Sequence, residues 1–466
     1  MDAKLSHDLV GIEAVLQRTL EHALDVLDHI DERPAALAPK PVEPQPLPSS
    51  GPGFDAALDD FLTRWAPGFS GSAGARYLGF VTGGATPAAL AGDWLTSVYD
   101  QNPTAGIDSA APDLERETVA RLRELFGLSD AQKGVLVSGA TMSNLVGLAI
   151  AREWLGEQCP NRVDIAEDGV SMLPPVRVLS GAPHSSIYKA LSVLGIGRRA
   201  VQKIPTLKDR EAVDLNALEA ALQQYAGEPV IVVANAGTVN TVDYDDLQAI
   251  AALRSRYRFW LHVDAAFGAF AALSPDHAAL VRGLDEADSI CIDLHKWLNV
   301  PYDAAVQFSR RRDLQVRVFQ NSSAYLGVPT DNPDFVHLTP ENSRRLRALS
   351  TWFALAAYGR DGHAEIVRRN IALAHRLGER IAVQPGLALL APTRLNVVCF
   401  TLAEQPDEAR INAYVRAVRD LGDAFVSMTV YEGTWGLRAA FCNWRTDEQD
   451  VDRVFDSLVR ALGALR

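Results

Sequence analysis

The run Ser289-Ile290-Cys291-Ile292-Asp293-Leu294-His295-Lys296-Trp297-Leu298 places a lysine at the end of an apolar, strand-like stretch. An amine there is costly unless it is neutral or bonded, so Lys296 is a candidate for imine chemistry. Upstream, Phe259-Trp260-Leu261-His262-Val263-Asp264-Ala265-Ala266 is a second apolar run that ends in a charged group, a carboxylate followed by two small residues. Two oppositely charged residues at the ends of two buried strands place both at one edge of a sheet.

Working outward, short apolar runs alternate with longer helical patterns from about Tyr77 to Arg345. The runs are Gly134–Val137, Val176–Leu179, Pro229–Val233, Phe259–Val263, Ser289–Leu294 and Ala305–Phe308. Strands separated by crossover helices predict an α/β fold with a mostly parallel, doubly wound sheet, which binds ligands at the carboxyl ends of its strands. A long helix from roughly Asn342 to Tyr358, ended by Gly359, is followed by helix, strand (Leu395–Leu402), helix, strand (Gly436–Asn443) and helix, a small C-terminal α/β domain. At the other end, Leu9, Ile12, Leu16, Leu20, Leu24 and Leu27 recur at helical spacing within Leu5–Ile30, and Pro34, Pro39, Pro41, Pro44, Pro46, Pro48 and Pro52 follow as an extended linker. The expected division is 1–75 arm and linker, 76–345 large domain and 346–466 small domain. An apolar arm on a linker suggests packing on a partner subunit.

The net charge of −13 lacks the basic stripe that nucleic acid requires. Cys159, Cys291, Cys399 and Cys442 lie far apart without metal-ligand spacing, which predicts free thiols and no metal. Neither a signal core nor a long uncharged span is visible, so a cytoplasmic protein that neither crosses nor binds a membrane is expected.

Three more strand ends carry chemistry. Ser138-Gly139-Ala140-Thr141 passes from a strand straight into a helix, where free N–H groups and the Thr141 hydroxyl suit a phosphate; taken alone the segment reads equally as a Thr-capped helix. Pro183-His184-Ser185-Ser186 brings a histidine to the same edge, and Asn235-Ala236-Gly237-Thr238 a hydroxyl. Asp264 at the end of its apolar strand wants a cation, and the protonated ring nitrogen of pyridoxal 5'-phosphate is one; paired so, the ring stays an electron sink. A helix cap or an arginine partner is the other reading of Asp264. Ala265 and Ala266 leave room for a flat ring.

The chain resembles the group II pyridoxal phosphate-dependent amino-acid decarboxylases, the family of aromatic amino-acid and glutamate decarboxylases. The similarity runs in order through Tyr77-Leu78-Gly79-Phe80, Pro87–Asp93, Ser138–Leu145, Pro183–Ser186, Trp260–Ala266, His295-Lys296-Trp297 and Ser343-Arg344-Arg345. It implies the fold type I architecture of pyridoxal phosphate enzymes, a homodimer with its active site near the subunit interface, and an amino-acid substrate. By resemblance Lys296 carries the cofactor as an aldimine, Asp264 pairs with the ring nitrogen and His184 stacks on the ring. Ala140, Thr141, Thr238, Ala266 and His295 complete the expected cofactor contacts. Ala324-Tyr325-Leu326 resembles the family's mobile loop, in which a tyrosine protonates the quinonoid carbon after carbon dioxide leaves; a packing role for Tyr325 at the interface is the alternative.

Met142 and Leu294 depart from the family's usual glutamate and proline without touching the chemistry. Pro112, within Gly106–Glu115, replaces a pocket hydroxyl and leaves the substrate side chain unassigned. Tyr302 matches an aromatic pocket position, and Arg344 either binds a carboxylate or braces the loop. The expected reaction is decarboxylation of an L-amino acid to an amine. An aldehyde synthase and a Cα–Cβ lyase on the same fold are alternatives, as is an inactive scaffold, which would be expected to lose Lys296 or Asp264.

Overall fold

The computed structural model describes residues 1–321 and 332–465. Seven strands form the larger sheet: β1 (Lys133–Val137), β2 (Val178–Ser180), β3 (Val201–Lys203), β4 (Val230–Asn235), β5 (Phe259–Asp264), β6 (Ser289–Asp293) and β7 (Ala305–Ser309). Their spatial order is β1-β7-β6-β5-β4-β2-β3. Every pairing is parallel except those of β7, which runs antiparallel to both β1 and β6. β4, β5 and β6 are buried along their whole length, as expected of central strands covered on both faces.

Alternation along these strands sorts the core into two layers. Val230, Val232 and Ala234 of β4 join Leu261 and Val263 of β5 in a cluster with Leu247 and Ile250. Ile231 and Val233 point the other way, with Trp260, Val146 and Ile150, where the helix Ala140–Gln158 covers the sheet. The period of two is thus the cause of the three-layer build.

The chain begins the sheet at one edge (β1), crosses to the far side (β2, β3), and returns through β4, β5 and β6. All five parallel strands that flank the site, β1, β2, β4, β5 and β6, end at the same edge. The register aligns Asn235 of β4 with Asp264 of β5, and Asp264 with Cys291 of β6. Lys296 follows one helical turn beyond.

The smaller sheet is antiparallel, in the order β10-β11-β9-β8, from β8 (Leu387–Leu389), β9 (Val397–Leu402), β10 (Ser427–Tyr431) and β11 (Thr434–Ala440). Its own core includes Phe400, Tyr414, Phe441 and Leu458. The long helix begins at Ala348, later than the sequence suggests, and ends as expected at Gly359, whose backbone is not helical; a second helix continues from there to Val383. Gly359 sits at φ 58°, ψ −172°, a conformation open to glycine almost alone.

The sequence reading passes over β3, β8 and β10, which are short or lie at sheet edges, and over the helix Phe54–Arg64 in the expected linker. The N-terminal segment folds as two helices, Ala3–Val10 and Ile12–Asp28, separated by Gly11. Leu9, Leu16 and Leu24 on them are about half exposed. Cys291, Cys399 and Cys442 are buried free thiols, and Cys159 is partly buried.

Candidate functional site

Lys296 emerges from the short helical turn Leu294–Trp297 directly after β6. Its Nζ lies 3.1 Å from Asp293 Oδ2 and over the Phe267 ring. Burial alone would drive the amine toward neutrality, but the Asp293 and Asp264 carboxylates outweigh it and raise the Lys296 pKa. The other oxygen of Asp293 accepts the Ala140 N–H at 3.0 Å, and its Oδ2 also lies 3.4 Å from His295 Nε2. Asp293 therefore joins the lysine turn to the start of the Ala140–Gln158 helix. A buried carboxylate one turn before a lysine was legible in the opening motif, yet its polarity was absorbed into the strand pattern.

Around the lysine the backbone is packed without tolerance. A Cβ added at Gly83 would fall 1.6 Å from the Lys296 carbonyl oxygen, so only glycine fits. Asn299 donates from Nδ2 to the carbonyls of Gly83 and of Cys442, at 2.5 and 2.7 Å. One amide thus ties the backbone at Gly83 and at Cys442, just after β11, to the lysine turn.

Asp264 is buried at the end of β5. Its Oδ2 accepts from Asn144 Nδ2 at 2.9 Å and its Oδ1 from the Ala266 N–H at 3.2 Å. His184 caps the next helix, with Nδ1 2.8 Å from Ser186 Oγ. Its pKa is lowered by burial, against the opposing pull of Asp264. Lys296, Asp264, His184, Ala140, Thr238 and Ala266 line one cavity of about 390 Å³. Across it, Thr238 donates to Glu211 Oε2 at 2.6 Å, and Glu211 also accepts from Thr241 and Asn240. The Thr238 hydroxyl, which further accepts the Asp243 N–H at 2.9 Å, serves to shape its loop. Glu211 lies in a loop outside every motif, and Asn144, although inside the Ser138–Leu145 run, sits within a helix where its residue type gives no sign of a role; only tertiary contact shows their part.

Four expected site residues fall outside the cavity lining. Thr141 is exposed beside the helix start. His295 packs its ring on Tyr302, centroids 4.2 Å apart, and the Tyr302 hydroxyl lies 3.2 Å from Thr82 Oγ1. Arg344 is a correction: its guanidinium is fully buried against Glu115, Nη2 to Oε1 2.9 Å, and over the Phe335 ring, so it is unavailable to a substrate carboxylate. Tyr325 lies outside the described residues.

The set fits pyridoxal phosphate. The Ala140–Gln158 helix starts with no side-chain cap, which leaves the N–H groups of Thr141 and Met142 free for an anion at the positive helix end. Lys296 supplies an amine, Asp264 an anion beside it, and Ala266 a flat floor. Among the described residues no cluster of His, Cys, Asp and Glu could hold a metal, and no helix is long and apolar enough to cross a membrane.

Two outcomes follow from this geometry. Arg344→Leu strands the buried Glu115 carboxylate and is expected to lower the unfolding free energy by about 3–5 kcal/mol in urea titrations, with a cofactor affinity unchanged in the folded fraction. His262 is fully buried and its pKa is lowered to about 4 by burial. The unfolded chain therefore takes up a proton between pH 6.5 and about 4 that the folded chain refuses, and stability falls as pH falls through that window. From pH 7 to 5 the loss is expected to be about 1–2 kcal/mol smaller in His262→Gln than in the wild type, measured as the difference between their urea unfolding curves.

Residues 40–403 match the family model of the pyridoxal-dependent decarboxylase conserved domain. An aromatic-L-amino-acid decarboxylase of Bacillus atrophaeus is 28% identical over 390 residues, 81% of this chain and 78% of that protein. An L-2,4-diaminobutyrate decarboxylase of Rhizobium meliloti is 29% identical over 371 residues, 77% of this chain and 71% of its own length. The crystal structure of Oryza sativa TDC with PLP and tryptamine shares the fold at a TM-score of 0.89 and 22% identity, covering 100% of this chain and 99% of that one. The family match spans most of the sequence, and the chain therefore belongs to the pyridoxal-dependent decarboxylases, carboxy-lyases that work with pyridoxal 5'-phosphate.

Proposed function

We propose that this enzyme removes the α-carboxylate of an L-amino acid as carbon dioxide and returns a proton to the same carbon, releasing the amine. The observation that carries the reading is the meeting of Lys296, Asp264 and His184 on one cavity wall at the strand ends. When bound, the cofactor supplies a conjugated ring that takes up the electron pair left by the departing carboxylate.

The chain's own groups do the rest. Lys296 Nζ would hold the cofactor, and the proton it must shed has an acceptor 3.1 Å away in Asp293 Oδ2. Asp264 would hold a proton at the ring nitrogen, and the free N–H groups of Thr141 and Met142 would bind the phosphate. His184 lines the same cavity and would stack on the ring, as the likeness to the family implies. The Tyr325 hydroxyl is the proposed donor to the α-carbon, on its likeness to the family's loop tyrosine.

The functional unit in this reading is a homodimer, with 1–75 as arm and linker, 76–345 as large domain and 346–466 as small domain. The uncovered apolar residues Leu9, Leu16 and Leu24 on the first two helices support a partner surface. Tyr302, by its likeness to an aromatic pocket position of the family, favours an aromatic substrate side chain.

Incubating the enzyme with a panel of amino acids while measuring amine, carbon dioxide, ammonia and peroxide tests the reaction. Equal yields of amine and carbon dioxide are expected with at least one substrate, and Lys296→Ala is expected to lose the turnover. Ammonia and peroxide as main products would replace the reading by an aldehyde synthase.

A further inference from the structure

Behind Asp264 lies a chain of buried polar groups outside the cavity lining. Trp260 Nε1 donates to Ser289 Oγ at 2.9 Å, and Ser289 Oγ lies 2.8 Å from His262 Nδ1. His262 Nε2 is 2.9 Å from Asn144 Oδ1. Asn144 Nδ2 then donates twice, to Asp264 Oδ2 at 2.9 Å and to Ser186 Oγ at 3.0 Å. Ser186 Oγ in turn lies 2.8 Å from His184 Nδ1. Asn144, His262 and Ser289 are each 0% exposed, so an unmatched donor or acceptor among them is costly.

The proton positions follow from the two ends. An indole N–H can only donate, and a carboxylate can only accept. Because Asn144 gives its amide hydrogens to Asp264 and Ser186, its Oδ1 faces His262 Nε2 and can only accept there, so Nε2 carries the ring proton, Nδ1 accepts, and Ser289, which receives the Trp260 N–H, gives its own hydroxyl hydrogen to Nδ1. The Ser186 backbone N–H donates to His184 Nδ1 at 3.3 Å, so Nδ1 is an acceptor; the Ser186 hydroxyl, having accepted from Asn144, donates to it as well, and the proton of the neutral His184 ring resides on Nε2. The opposite tautomer of His262 would set two acceptors face to face at Asn144, and a flipped Asn144 would turn its oxygen on the Asp264 carboxylate. Burial, which lowers the His262 pKa to about 4, keeps the ring neutral.

Sequence and packing agree with this reading. Gly147 lies inside the Ala140–Gln158 helix, where glycine costs about 1 kcal/mol relative to alanine. A Cβ there would lie 2.8 Å from both His262 Nδ1 and Cε1, and 3.2 Å from Ser289 Oγ. The glycine makes room for the ring.

We propose that Asn144 is the positioning residue of this site: held in one orientation by Trp260, Ser289 and His262, its amide directs one N–H to Asp264 and the other through Ser186 to His184. A single side chain thereby aligns the group at the ring nitrogen and the group on the ring face. The proposal rests on reading Asp264 and His184 as the residues that meet the cofactor.

Neutron diffraction from the deuterium-exchanged protein without cofactor tests the proton order directly. Deuterium is expected on Nε2 and absent from Nδ1 in both His262 and His184; deuterium on His262 Nδ1 overturns the proposal. Pyridoxal phosphate titrations test the positioning. Asn144→Leu, close in shape but without hydrogen bonds, is expected to raise the dissociation constant at least about tenfold. Ser289→Ala removes one atom that touches neither Asn144 nor Asp264, frees the His262 tautomer, and is expected to raise it several-fold with the fold intact by circular dichroism. A folded Asn144→Leu or Ser289→Ala whose constant stays within twofold of wild type overturns the positioning role. Wild-type protein that takes up no pyridoxal phosphate contradicts the functional reading instead, and the neutron map still decides the network.

Discussion

A charged amine in a protein interior has to be answered, and in this chain Asp293 answers it from 3.1 Å. The pair fixes more than a protonation state. Asp293 also receives the Ala140 N–H, so the carboxylate that holds Lys296 sets where the Ala140–Gln158 helix begins. The same requirement explains the second carboxylate, since Asp264 adds to the attraction that outweighs the burial of the lysine. The site is thus organised around charge placement at strand ends, and the parallel register of β4, β5 and β6 supplies those ends side by side.

Small residues are the other half of the design. Gly83 lets a distant backbone lie against the Lys296 carbonyl, Gly147 lets a helix lie against His262, and Ala266 leaves the cavity floor flat. At the two glycines the absence of a side chain places something polar within reach. Asn299 then closes the junction with two carbonyls from remote parts of the chain.

Much of this was legible beforehand. The central strands are continuous apolar runs, so their existence and burial followed from periodicity, and the charged residues that end them stood out because they break the run. Lys296 and Asp264 were found in that way, His184 gained its role only from the likeness to the family, and all three line the cavity. What escaped was of two kinds. Short edge strands such as β3 and β8 carry three residues each, too few for a pattern to form. Second-rank polar residues such as Asn144, Glu211 and Asn299 acquire meaning from partners more than a hundred positions away or from a loop that only the fold brings close. Arg344 shows the converse: in its motif it reads either as a carboxylate contact or as a brace, and its buried pairing with Glu115, which only the fold reveals, leaves no free guanidinium for a ligand.

The central claim is that Lys296, held by Asp293, is the residue that bonds to the cofactor. Borohydride reduction of the cofactor-loaded protein makes such a bond permanent, and peptide mass mapping then reads which lysine bears it. The account predicts the pyridoxyl group on Lys296 alone; the group on any other lysine, or on none, would contradict it.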